Sequence, residues 1–154
     1  MSELDEIEAI KQLKYRYFRH LDSKKWTELA DCFTEDARTW YDGGKYSFDG
    51  IEAIMKFLSD SLSDPTIISL HQGHHPEISI TGADSATGFW YLEDRLYFTA
   101  QNMMLWGAAF YEDEYAKVGG TWKIKATGYH RTFEEIQTRE LNMTSAGNHL
   151  RRVP

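Results

Sequence analysis

The hydrophobic period of this chain changes part-way along, and that change limits the folds open to it. In the first third, Leu4, Ile7, Ile10, Leu13, Tyr17 and Leu21 recur at spacings of three and four. That is the pattern of a helix with one buried face, here from Glu3 to His20. Asp22-Ser23 breaks it and offers a cap for a second helix carrying Trp26, Leu29, Ala30 and Phe33. Ala37 to Tyr41 and Lys45 to Phe48, joined by Asp42-Gly43-Gly44, read as a short hairpin. Asp49-Gly50 opens a third helix with Ile51, Ile54, Met55, Leu58 and Leu62. Beyond it the period drops to two. Ser85 to Thr99 sets Ala86, Gly88, Trp90, Leu92, Leu96 and Phe98 on one parity. Met104 to Lys117 and Thr121 to Phe133 read as two further long strands, with Val118-Gly119-Gly120 turning between them. Helices first and long antiparallel strands after predict an α+β chain, with helices on one face of a curved sheet. A sheet curled around its helices makes a cone with one mouth and one deep pocket. The polar stretch from Glu134 onward is expected to be helical or loosely ordered.

At 154 residues the chain is read as one domain, with a core over about 5–135 and a tail over 136–154. Five Trp, nine Tyr and eight Phe supply a large aromatic core and walls for a flat apolar ligand. The net charge of −7 argues against a nucleic-acid binder and against docking on anionic membranes. No run approaches a spanning helix, and the acidic N-terminus does not read as a signal peptide. The single Cys32 has no partner for a disulfide, so the cytoplasm is the expected compartment and Cys32 a small buried apolar residue.

Three of the six histidines crowd into His71-Gln72-Gly73-His74-His75-Pro76, with strand pattern on both sides. Imidazole changes charge near neutral pH, so the cluster raises proton transfer or metal binding. On a regular strand His71 and His75 point one way and His74 the other. Two converging imidazoles fall short of the three protein ligands of a catalytic zinc. His130 or Glu77 could add one, but nothing in the spacing requires it, and Gly73 and Pro76 suggest a bend in the strand. No metal is expected. With Asp22 available as an orienting carboxylate, His71 reads as a general base whose tautomer and basicity Asp22 would set. Its plainer reading is an ordinary half-buried histidine bonded to a carbonyl.

Several stretches carry a family resemblance. Ile7-Glu8-Ala9-Ile10-Lys11 with Tyr17-Phe18-Arg19-His20-Leu21-Asp22 resembles the first helix of the bile acid 7α-dehydratases. His71-Gln72-Gly73-His74-His75-Pro76-Glu77-Ile78 resembles their central strand, and Ala86-Thr87-Gly88-Phe89-Trp90-Tyr91-Leu92-Glu93-Asp94 and Ala109-Phe110-Tyr111 are similar too. Gly128-Tyr129-His130-Arg131 resembles the last strand. These enzymes belong to the SnoaL-like, nuclear-transport-factor-2-like (NTF2-like) superfamily. Asp64-Pro65-Thr66 followed by His71 is also similar to scytalone dehydratase.

The resemblance implies an NTF2-like (cystatin-like) cone and, residue by residue, catalytic roles for Tyr17, Asp22, His71 and Arg131. It sets Tyr41 on the tyrosine with which scytalone dehydratase polarises its substrate carbonyl. Tyr41, Trp90, His75 and Tyr115 are the substrate-binding candidates. Leu21 and Trp90 stand where scytalone dehydratase has a tyrosine and a histidine, which argues against scytalone as substrate. The resembling families use no cofactor and no metal, and imply a homo-oligomer, a trimer ahead of a dimer. Phe89, Tyr91 and Tyr97 are candidates for the apolar outer face that such an assembly covers.

Each site residue also has a plainer reading. Asp22 between two helices is a natural cap, Tyr17 a core aromatic, and Arg131, on the parity of Lys123 and Lys125, a surface cation. Tyr17 and Asp22 stand about 140° apart around an ideal helix. Their joint use is expected to need a helix that ends near His20, and Arg131 is expected to need a bulge near Gly128. The expected activity is a cofactor-free hydro-lyase acting on a bulky apolar hydroxy-carbonyl compound, steroid- or polyketide-like. An isomerase or cyclase with the same pair, and a non-catalytic small-ligand-binding module, remain open.

Overall fold

The computed structural model describes residues 2–138, 140 and 142–144. Helix α1 spans Glu3–Asp22, and Ser2 and Asp5 bond reciprocally in a capping box at its start. Acidic Glu3, Asp5 and Glu6 in its first turn suit the positive end of the helix dipole. The helix does not end near His20. It runs to Asp22 and closes in a Schellman turn, with Lys25 N–H on the His20 carbonyl (2.9 Å) and Lys24 N–H on that of Leu21 (3.3 Å). Lys24 takes the left-handed position of this turn, at φ 57.

The short α2 covers Trp26–Ala30, and Phe33 belongs to the next strand rather than to this helix. β1 (Phe33–Tyr41) and β2 (Tyr46–Asp49) form the expected hairpin, and α3 (Ile51–Leu62) follows. β3 (Ile67–Gly82), β4 (Ser85–Phe98), β5 (Met103–Val118) and β6 (Thr121–Thr138) complete a six-stranded sheet in the order β2-β1-β6-β5-β4-β3. The sheet is mixed rather than wholly antiparallel, because β1 lies parallel to β6. β6 continues through Glu134 to Thr138, where Met103 to Gly107 of β5 hydrogen-bond it, so this stretch is strand and not the expected polar tail. Residues 139, 141 and 145–154, the rest of that tail, lie outside the described residues.

Two register shifts decide which side chains face the helices. In β6 one shift falls between Ile124 and Ala126, opposite Tyr115 and Glu114, and a further one between Arg131 and Phe133, opposite Ala109 and Ala108; neither is at Gly128. The extra residue at the first moves the inward face from Trp122 and Ile124 to Thr127, Tyr129 and Arg131. In β3 the shift falls between His74 and Glu77, with His75 at φ 48. Upstream of it Ser69 and His71 face inward. Downstream, Ile78 and Ile80 do.

The core sits between the helices and the concave face. Ile10, Leu13 and Tyr17 from α1 and Ile54 and Leu58 from α3 pack against Trp90, Leu92, Tyr111, Tyr115 and Ile124 of the sheet. Removing these side chains from water supplies the main stabilisation, about 25 cal/mol per Å² of apolar area. The convex face is left with Phe89 and Tyr91, each 51% exposed, and with Phe110 and Phe133.

Candidate active site

The end of α1 and the inward face of β3 meet at one carboxylate. Asp22 Oδ2 accepts from the backbone N–H of His71 at 2.8 Å. Its Oδ1 accepts from Ser69 Oγ at 2.8 Å and lies 2.7 Å from His71 Nδ1. An ionised carboxylate only accepts, so Nδ1 carries the ring proton and Nε2 is left as the basic nitrogen. The His71 side chain is 10% exposed, and that edge lines a cavity of about 260 Å³. Asp22 stands behind His71, with Tyr17 on the cavity wall itself. The helical angle between the two is therefore no obstacle, since they serve different sides of the imidazole.

Besides the exposed Tyr46, four tyrosines, Tyr17, Tyr41, Tyr111 and Tyr129, line the same cavity. Burial raises the pKa of each, that of Tyr129 to about 12, so all four are protonated donors at neutral pH. The Tyr41 hydroxyl is buried near that of Tyr17 but makes no well-formed hydrogen bond among the described residues. A buried, unsatisfied donor of this kind costs about 1–3 kcal/mol, which an acceptor on a ligand would relieve. Leu21, Phe57, Leu58, Leu62, Leu96 and Leu105 give the cavity its apolar surface, and Asp42, Lys45, Tyr46 and Glu134 also line it.

Arg131 reaches the cavity from β6. It grips Asp94 of β4 in a two-pronged ion pair, with Nη2 on Oδ2 at 2.8 Å and Nη1 on Oδ1. Asp94 is paired in register with His71. Burial pulls the Arg131 pKa down, but its hydrogen bonds to Asp94 outweigh this and raise it overall. Gly107, between the two strands, makes the pair sterically admissible: a Cβ there would lie 2.5 Å from Arg131 Nη1.

Tyr17, Tyr41, His71 and Arg131 thus share one cavity, and Asp22 is bonded to it through His71. Trp90, Tyr115 and His75 are elsewhere. Trp90 Nε1 donates to the Tyr115 hydroxyl at 3.0 Å, and that hydroxyl donates to Asp113 at 2.6 Å, deep in the core. The β3 bulge turns His75 to the convex face, where its ring centroid lies 6.0 Å from that of His74 and 5.7 Å from that of Tyr91. His75 therefore does not share the face of His71. Among the described residues no group of three His, Cys, Asp or Glu is placed to hold a metal ion. Cys32 is buried, and burial pushes its thiol up to about 11, which makes it a poor nucleophile.

Sequence reasoning passed over Asp94, Tyr111, Tyr129, Ser69 and Lys24. It also missed a buried ion pair, Lys14 Nζ to Asp113 Oδ2 at 2.8 Å, with neither side chain exposed. Thr127 donates to Asp113 Oδ1 at 2.6 Å, and the ammonium lies 3.8 Å from the Tyr111 ring centroid. A signal was present. Lys14 follows Ile10 by one turn on the apolar face of α1, and Asp94 shares the apolar parity of Trp90, Leu92 and Leu96. A charge on a buried face is the informative exception.

The fold has solved counterparts. A Novosphingobium aromaticivorans protein described as a scytalone dehydratase is 24% identical, with TM-score 0.80, over 86% of this chain and 87% of that one. A hexachlorocyclohexane dehydrochlorinase (LinA type 2) is 21% identical, with TM-score 0.79, over 95% of this chain and 99% of that one. A Nostoc punctiforme protein of unknown function with a cystatin-like fold is 21% identical, with TM-score 0.66, over 85% of this chain and 93% of that one. At these identities the likeness is one of fold. The SnoaL-like domain model matches residues 2–128, and the chain therefore belongs to the SnoaL-like family, within the NTF2-like superfamily.

Proposed function

We propose that the protein is a cofactor-independent hydro-lyase that removes water from an apolar β-hydroxy-carbonyl compound, or its vinylogous equivalent. The observation that carries this reading is the 2.7 Å contact between His71 Nδ1 and Asp22, on an imidazole that edges a tyrosine-lined cavity. Asp22 fixes the tautomer, and Nε2 takes the proton from the carbon between carbonyl and hydroxyl. The C–H electrons pass into an enolate, whose oxygen is met by the hydroxyls of Tyr17 and Tyr41. They return to form the C=C bond as the C–O bond breaks, and the proton held by His71 leaves with the hydroxyl as water. Each donor aimed at the enolate oxygen contributes about 3–4 kcal/mol of barrier lowering. Arg131, neutralised by Asp94, adds a polar wall without a net charge.

The enclosed volume of about 260 Å³ lies just under the about 300–1,000 Å³ of pockets that enclose a drug-sized ligand. A steroid- or polyketide-like body would therefore seat one end against His71 and extend past Lys45 and Tyr46. The convex face, with its exposed aromatics, would be covered in a homo-oligomer, a trimer ahead of a dimer.

The test is a panel of ring-bearing β-hydroxy ketones incubated with wild type, His71→Ala and Asp22→Asn, with products read by mass. The expected product is lighter by one water, and each variant loses about 10²-fold or more of the rate. A product of unchanged mass assigns the same pair to an isomerase or cyclase. Full turnover by His71→Ala would overturn the role of the imidazole.

A further inference from the structure

The Asp22–His71 pair has a third and a fourth member. Ser69 Oγ, two residues before His71 on the same inward face, donates to Asp22 Oδ1 at 2.8 Å. Lys24 Nζ donates to that same Ser69 Oγ at 3.2 Å. The ammonium has only protons to offer, so it leaves the serine hydroxyl a single productive orientation, toward Asp22. Asp22 then accepts on both oxygens from three donors: Ser69, the His71 backbone and the His71 ring.

Lys24 holds an unusual place for a lysine. It occupies the left-handed position of the Schellman turn that ends α1, at φ 57, where glycine is the ordinary occupant. A side chain there carries backbone strain that glycine would not. Its amine is also half-buried, and burial lowers its pKa, with Asp22 partly offsetting the effect. Strain and desolvation would both vanish with glycine at this position. The compensating contact visible in the structure is the one to Ser69.

Resting on the hydro-lyase reading of His71, we propose that Lys24 and Ser69 are positioning residues that act through Asp22 to set the basicity and tautomer of His71. The other charged groups on the cavity are Asp94, opposite His71 on β4, and Arg131 from β6, which neutralise each other, with Asp42, Lys45 and Glu134, and its other titratable groups include Tyr17, Tyr41, Tyr111 and Tyr129. Lys24 is the cation that hydrogen bonds join to the pair, through Ser69. With the ammonium removed, the negative field of Asp22 acts undiminished on the ring and its protonation becomes easier. With the serine hydroxyl removed, Asp22 has one donor fewer and bonds the imidazolium more strongly. Both changes raise the pKa of His71.

The test needs no substrate. The ring nitrogen and carbon shifts of His71 are followed by NMR against pH in ligand-free wild type, Lys24→Met, Lys24→Gly, Ser69→Ala and Asp22→Asn, with His71→Ala identifying the resonances. Lys24→Met, Lys24→Gly and Ser69→Ala are each expected to raise the His71 midpoint by about half a pH unit or more. Lys24→Gly should do so with its urea midpoint held or increased, which a merely structural lysine would not give. Unmoved midpoints in the Lys24 variants, with Asp22→Asn still shifting His71, overturn the role of Lys24 and leave the Asp22–His71 pair intact. A shift in the Lys24 variants alone overturns the relay through Ser69. A His71 titration and tautomer unaltered in Asp22→Asn remove the pair itself, and the hydro-lyase reading with it.

Discussion

Burying an ammonium and a carboxylate costs several kcal/mol for each ion before their contacts are counted, and Lys14 with Asp113 meets that cost inside the core. Asp113 takes hydrogen bonds from Lys14, Thr127 and Tyr115, so removing either charge strands the other among apolar walls. Lys14→Met or Asp113→Asn is expected to lower the unfolding free energy by about 3–5 kcal/mol in urea titrations. The double variant Lys14→Met/Asp113→Leu should recover much of that loss, because no buried charge is left unpaired. At this scale the site was partly legible. Tyr17, Asp22, Tyr41, His71 and Arg131 were candidates through the family resemblance; the structure brings Tyr17, Tyr41, His71 and Arg131 to one cavity and bonds Asp22 to His71. Trp90 and Tyr115 were chosen too, but aromatic character alone does not say whether a ring lines a cavity or fills the core. In these two, the hydrogen bonds to Tyr115 and Asp113 settle the matter.

Elements were legible wherever a period ran unbroken. The spacing of Ile10, Leu13 and Tyr17 gave α1, and the alternation from Ala86 to Leu96 gave β4. The positions of the bulges were not legible, because one extra residue leaves the composition of a strand unchanged while exchanging its two faces. That is why His75 was misplaced, and why Arg131 could not be separated from the solvated Lys123 by parity alone. Nor did the pattern say that β1 would lie parallel to β6, since pairing direction is set by the connection and not by alternation. Neighbouring strands also constrain one another across the ladder. Gly107 of β5 leaves the space in which Arg131 of β6 meets Asp94 of β4. Gly107→Ala is expected to displace the guanidinium and cost about 1–3 kcal/mol of stability. A crystal structure of the variant would check the first effect, and a thermal melt the second.

For the molecule as a whole, four buried tyrosines and the half-buried Tyr129 make stability depend on alkaline pH. Burial raises Tyr17, Tyr41, Tyr111 and Tyr115 well above 10.0 and Tyr129 to about 12. A phenol whose folded pKa exceeds its unfolded one contributes stability that is complete below pH 10 and is lost as pH climbs through the folded value. Tyr129 alone is worth about 2–3 kcal/mol on this basis. Lys14 and Lys24, both lowered by burial, act in the opposite sense but are two groups against five. Urea midpoints should hold to about pH 10 and then fall, together with the onset of tyrosinate absorbance. On the convex face, Tyr91→Glu is expected to lower the mass seen in sedimentation by dissociating the proposed oligomer. No helix among the described residues is long and apolar enough to cross a membrane. The central claim concerns the concave side, where His71 lifts a proton from carbon beside a carbonyl. Its most direct test is deuterium uptake from heavy water into ring-bearing ketones that lack the hydroxyl, since exchange reports proton removal without any leaving group. Wild type should exchange the proton beside the carbonyl of at least one such ketone, and His71→Ala should do so about 10²-fold more slowly or worse. Equal exchange by wild type and His71→Ala would contradict the account.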